Sequence, residues 1–201
     1  MAKKIMFSDK FGLTKAVLEG RKSQTRRFIK LNANQYVRAV ALDNGSFFSY
    51  VAEPGNPSAF MGELILPAYA GELSPAYFIG EEVAVAQKYS ELEYGVDWVR
   101  RSINEEHAGW NNKLFVSAEE MPHRIKITNI RVERLQDIND ADCLKEGISF
   151  DEGIFYFGEG NNRFQYYDIK KTFSKLIDKV SGKGTWDSNP YIFVYDFELV
   201  K

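Results

Sequence analysis

Cysteine is nearly absent from this chain. Cys143 is its one thiol, so no internal disulfide can form and a reducing, cytoplasmic setting is expected. The residue reads as a small buried helix side chain. Histidine is almost as scarce. His107 and His123 stand apart, and with a single cysteine they do not have the spacing of a zinc site. No metal and no cofactor is assigned. Long apolar runs are missing too. No stretch approaches the roughly 20 apolar residues of a membrane helix. The start, Met1 to Ser8, holds no run long enough for a signal peptide, so no membrane partner is expected. A strong net charge is also lacking. A formal charge of -2 and a pI near 5.8 argue against broad, non-specific DNA binding.

What is present fits one globular domain, residues 1–201. With 201 residues and 44% hydrophobic side chains, the chain can bury a full core without staples. Against its weakly acidic background one segment is basic: Gly20-Arg21-Lys22-Ser23-Gln24-Thr25-Arg26-Arg27. Five of the ten residues from Arg21 to Lys30 are basic and none is acidic, which makes Arg21, Lys22, Arg26 and Arg27 candidates for an anionic ligand. Arginine offers a planar fork of donors for phosphates and base edges. A partly desolvated lysine can also act as a base. Before this segment, Leu13, Ala16, Val17 and Gly20 recur at helical spacing. Ser8 or Asp9 reads as the cap of that helix and Gly20 as its left-handed stop. Carbonyls at a helix end favour nearby cations, which gives Arg21 and Lys22 a purely structural reason to be there.

Further along, residues 35–42 and 47–51 read as a hairpin across Asn44-Gly45. Four of the six prolines fall between residues 52 and 79, a region read as a looping insertion. Tyr89, Tyr94, Trp98 and Trp110 lie in a second irregular region, 88–120. They pack that loop down or offer stacking surfaces for bases. Val83 to Val85 and a long segment from Ile125, bulged near Asn129, read as strands. Asn139 is placed to cap a helix that stops at Gly147, so Glu146 falls at its end, where a carboxylate opposes the helix dipole. A stripe of Ile169, Phe173, Leu176, Ile177 and Val180 marks the clearest helix. Its lysines, Lys170, Lys171, Lys175 and Lys179, read as a solvated face. The last strand, Tyr191 to Val200, is apolar or aromatic on both faces and so expected at the sheet's centre.

The basic segment, behind an Ile-Met-Phe-Ser start and an Ala-Val-Leu-Glu helix, resembles the opening motif of ASCH-domain proteins, above all a phage and prophage branch. Met121-Pro122, Arg124-Ile125, the run from Asn129 to Ile138, and Trp186-Asp187 with Asn189-Pro190 resemble that branch's middle and end. The resemblance implies an α+β fold, a PUA-like curled β-barrel with flanking helices, here with insertions at about 31–79 and 88–120. It implies RNA or a modified nucleoside as partner, bound in a basic cleft around Gly20 to Arg27. One small bacterial branch hydrolyses the acetyl amide of N4-acetylcytidine. By motif its Lys, Thr and Glu fall on Lys22, Thr25 and Glu146 of this chain, which makes an amidohydrolase, or a ribonuclease, the alternative in the same cleft. A non-catalytic phage accessory scaffold is the third. Two departures are plain. Ala86-Gln87 stands where phage-type members commonly have Arg-Glu, and the chain is much longer than the small amidohydrolases. If Lys22 and Glu146 lie at a solvent-open site, replacing either by alanine is expected to leave thermal stability nearly unchanged.

Overall fold

The structure, a computed structural model, describes residues 2–29, 75–92 and 103–200 in full and residues 36–43, 46–52 and 70–73 as backbone strands. Its centre is a mixed five-stranded sheet built from β1 (Lys4–Ile5), β2 (Gln24–Phe28), β6 (Glu82–Val85), β7 (Arg124–Arg134) and β11 (Tyr191–Val200). The strand order is β1-β6-β7-β11-β2, with β1 and β2 at the edges. The β1–β6 pair is parallel and the others are antiparallel. The fold is therefore α+β, and among the described residues the sheet does not close on itself.

β11 lies between β7 and β2, as its two-sided apolar character implies: Ile192, Phe193, Val194, Tyr195 and Phe197 are all buried. The expected bulge is real. Asp196 faces Asn129 and Phe197 faces Ile127, so Thr128 is the extra residue that bends β7.

Among the described residues four helices flank the sheets: α1 (Leu13–Leu18), α2 (Asp140–Lys145), α3 (Ile169–Ser181) and α4 (Thr185–Ser188). Neither Ser8 nor Asp9 caps α1. A 3-10 turn over Asp9–Phe11 comes first, and α1 starts from Gly12 in the left-handed region. Asp9 accepts instead from the Thr14 hydroxyl and from Lys113 at 2.7 Å. Gly20 does end the helical segment with φ 74°. α2 is capped as its sequence suggests, with the Asn139 amide oxygen accepting from Asp142 N–H at 2.8 Å. α3 buries Ile169, Phe173, Leu176 and Ile177 and exposes all four lysines, but the stripe stops before Val180, which is 45% exposed.

The described residues also form two smaller sheets. β3 (Tyr36–Asp43), β4 (Ser46–Ala52) and β5 (Ala70–Leu73) form an antiparallel sheet, so the region read as a loop contributes a strand. The Asn44-Gly45 turn, Tyr94 and Trp98 lie outside the described residues. Tyr89 is buried against Ala84, Val116 and Met121, and so packs the loop down. β8 (Ser149–Asp151), β9 (Ile154–Phe157) and β10 (Phe164–Tyr166) form the third sheet. Phe157 and Phe164 stack at 5.1 Å and pack on Phe11, joining this sheet to the main core.

Candidate functional site

The segment that is basic in sequence begins as a bend and becomes a strand. Lys22 follows Gly20, and β2 starts two residues later. Alternation along β2 puts Gln24 and Arg26 on one face and Thr25 and Arg27 on the other. The two faces have different environments.

On the first face the cations meet carboxylates from distant parts of the chain. Asp142 in the first turn of α2 and Glu146 at its C-cap, four residues apart, both turn toward β2 and are buried. Arg26 donates to Glu146 Oε1 at 2.9 Å, Glu133 Oε1 at 2.7 Å and the Gln24 side chain. Arg131 on β7 pairs with Asp142 at 2.6 Å, Asp196 at 2.8 Å and Glu133 at 3.0 Å. Gln24 donates to Asp196 at 2.6 Å. Burial alone would lower the Arg26 pKa, but Glu146 and Glu133 outweigh it and hold the guanidinium charged. Burial likewise opposes ionisation of Asp142, yet the Gln24 hydrogen bond and the Arg131 and Arg26 charges bring its pKa below 3.8. Thus Arg26, which looked like a ligand-binding cation in sequence, is neutralised inside the fold. Arg21 is exposed but held by Glu19 at 2.8 Å.

Lys22 links the two faces. Its Nζ donates to Glu146 Oε2 at 2.6 Å and to the Glu146 carbonyl at 2.8 Å. The two side chains are 2% and 7% exposed, so the site is not solvent-open. Burial pushes the lysine pKa below its usual 10.5, and Glu146 only partly restores it. The same Nζ lies 5.8 Å from the Phe7 ring, on which Arg27 also rests at 5.6 Å.

That second face therefore gathers Lys22, Arg27 and aromatic rings. Tyr195 and Phe193 sit directly opposite Thr25 and Arg27 on β11, and Tyr77 meets Tyr195 edge-on at 5.4 Å. Arg27 donates to the Met6 carbonyl at 2.7 Å, while its buried Nε–H has no acceptor among the described residues. Thr25 is 4% exposed, and no hydrogen bond joins it to Lys22 or Glu146 among the described residues. Of the three residues singled out by resemblance, then, Lys22 and Glu146 meet and Thr25 stands apart from them.

Sequence reasoning missed Asp142, Glu133, Arg131 and Asp196, which shape the charge of this site. The available signal was Asp142 four residues before Glu146. Cys143, between them, is buried with its thiol pushed up to about 12, as suits a core residue. Among the described residues no group of His, Cys, Asp and Glu is arranged to hold a metal, and no helix is long and apolar enough to cross a membrane. Compared with known proteins, the chain matches no family model, no curated protein and no solved structure.

Proposed function

We propose that this chain is an ASCH-type domain that binds RNA or a modified nucleoside on the Thr25–Arg27 face of β2. One observation carries the reading. Lys22 and Arg27 converge on the Phe7 ring beside Tyr77 and Tyr195, and a buried Arg27 Nε–H there has no acceptor among the described residues. The acceptors on a base's edge suit such donors. The PUA-like barrel belongs to the same proposal. Its expected strands near 83–85, 125–134 and 191–200 are neighbours in the five-stranded sheet. The test is binding of N4-acetylcytidine and a panel of single-stranded RNAs to the wild type and Arg27→Ala. Loss of a charge-assisted hydrogen bond should weaken binding about tenfold or more and flatten the salt dependence for RNA. Equal binding by Arg27→Ala across the panel would remove this face from consideration.

A second reading, amide hydrolysis by the same buried residues, is favoured by the Lys22–Glu146 contact and the lowered lysine pKa. A neutral Lys22 would take the Thr25 hydroxyl proton as that oxygen attacks the acetyl carbonyl. The amide C–N bond breaks, the departing nucleoside amine receives the proton, and water then hydrolyses the acetyl ester. For this Thr25 must approach Lys22 when substrate binds. Acetate release from N4-acetylcytidine, abolished by Lys22→Met in folded protein, is the expected result. No turnover by the wild type on several acylated nucleosides would dismiss hydrolysis and leave binding standing.

A further inference from the structure

The Phe7 ring, on which Lys22 and Arg27 rest, belongs to a residue whose backbone is held on both sides. The peptide carbonyl before its Cα, that of Met6, accepts from Arg27 at 2.7 Å. The one after it, its own, accepts from the Lys113 ammonium, 106 positions further along the chain. Lys113 opens a 3-10 turn, Lys113–Phe115, whose Asn112 cap accepts from Leu114 N–H at 3.0 Å. The same ammonium donates to Asp9 Oδ1 at 2.7 Å and to the Thr14 hydroxyl at 3.2 Å, and that hydroxyl donates to Asp9 at 2.5 Å. A second lysine ties the turn down in return. Lys4, on β1, donates to the carbonyls of Leu114 and Val116, at 2.7 Å each.

Planar peptide groups leave two soft dihedrals at each residue. With the peptide groups on both sides of Phe7 anchored, its φ and ψ are fixed, and with them the direction of its side chain. Packing then holds the ring, which is buried and lies 5.9 Å from that of Phe197. Lys113 has three N–H donors, and Phe7, Asp9 and Thr14 take all three. None is left for a ligand. With its side chain 15% exposed, Lys113 supports the ring from behind and is not itself a contact.

We propose that Lys113 is a positioning residue for the Thr25–Arg27 face of β2. It sets the Phe7 ring, and through that ring the places of Lys22 Nζ and the Arg27 guanidinium. The second irregular region thus serves the face by delivering one side chain to the back of its platform. The ligand's identity rests on the RNA or nucleoside reading; the placement of the ring does not.

Two readouts on the full chain test it. In proton–nitrogen NMR spectra the buried Arg27 Nε–H should shift in Lys113→Met and return in Lys113→Arg. It should stay near its wild-type position in Asp9→Asn, which breaks the ion pair and keeps the bond to Phe7. Should Lys113→Met fail to fold, Lys4→Met, which releases the same turn from β1, should move the Arg27 signal instead. N4-acetylcytidine and a mixed-sequence single-stranded RNA should bind Lys113→Met about fivefold more weakly, and Lys113→Arg should recover the affinity. The salt slope for RNA should keep its wild-type value in Lys113→Met and fall by about 0.7 in Arg27→Ala, because Arg27 contacts the RNA and Lys113 does not. An Arg27 signal unmoved in Lys113→Met, or moved as far in Asp9→Asn, overturns the proposal. So does a salt slope that falls in Lys113→Met as it does in Arg27→Ala, since that would make Lys113 a ligand contact. If the wild type binds neither probe, the RNA or nucleoside reading fails and the Arg27 signal alone decides the positioning role.

Discussion

Lys22 and Glu146 are 124 residues apart in sequence and 2.6 Å apart in space. Two charges this deeply buried are tolerated because each satisfies the other and Arg26 occupies the remaining carboxylate oxygen. Removing one partner leaves an uncompensated charge in the interior. Lys22→Met and Glu146→Gln should therefore each lose about 3–5 kcal/mol of stability, while the double variant should lose much less than the sum. Urea denaturation of the three variants gives the coupling directly. Near-zero coupling would mean that the pair does not exist as a buried unit. The expectation of nearly unchanged stability applied to a solvent-open site, and this one is closed. The four residues from Lys22 to Thr25 showed which side chains to watch, and nothing local showed their burial. Burial here depends on Asp142, Glu133 and Asp196, contributed by a helix and two other strands.

At the scale of elements, the turn from α2 into β8 determines where Glu146 points. Gly147 has φ 95°, a conformation costly for any residue with a Cβ. A Cβ at that position would also lie 3.3 Å from Leu13 Cδ2 and 3.6 Å from the Lys22 Cβ. Gly147→Ala should thus cost more than about 1 kcal/mol and displace the Glu146 carbonyl from Lys22. Thermal unfolding reads the first effect. Equal stability of Gly147→Ala and wild type would show that the turn can relax without disturbing the site. Elements with a strong local signature were legible beforehand: the Asn139 cap, the Gly147 stop, the α3 stripe and the bulge in β7 all follow from nearby residues. The β8–β10 sheet did not stand out, because its strands have three or four residues each, too short for a period to show. The Glu152-Gly153 pair, both at positive φ, was its one local mark. α4 is likewise too short to show a period, its four residues being a single helical turn.

The whole molecule is weakly acidic, yet its charged groups are sorted so that the network around Arg26 and Arg131 is internally matched. Its response to pH has two sides. Asp142 titrates below its usual 3.8 in the fold, so the unfolded chain binds its proton first as pH falls. The stability it supplies is complete above 3.8 and is lost as pH drops through the lower folded value. Asp142→Asn should flatten that acid limb, and a denaturation series between neutral and acid pH measures it. An unchanged acid limb would place the sensitive carboxylates elsewhere. Lys22 acts at the alkaline side. Between its lowered pKa and 10.5 the unfolded chain holds more protons, so this group makes stability rise with pH across that window, and Lys22→Met removes the rise.

The pairing of β2 with β11 has a consequence for the order of events during synthesis. Gln24 and Asp196 are 172 positions apart, and β2 has no other strand beside it in the described sheet. On the ribosome, β2 emerges long before the strand that will carry it. Arg26 and Arg27 stay in water until the 172 positions from Gln24 to Asp196 have been made, and closing so long a loop is slow. In a nascent chain the segment from Gly20 to Arg27 is therefore a free cationic tract, and only when β11 docks does it become an interior, charge-matched strand.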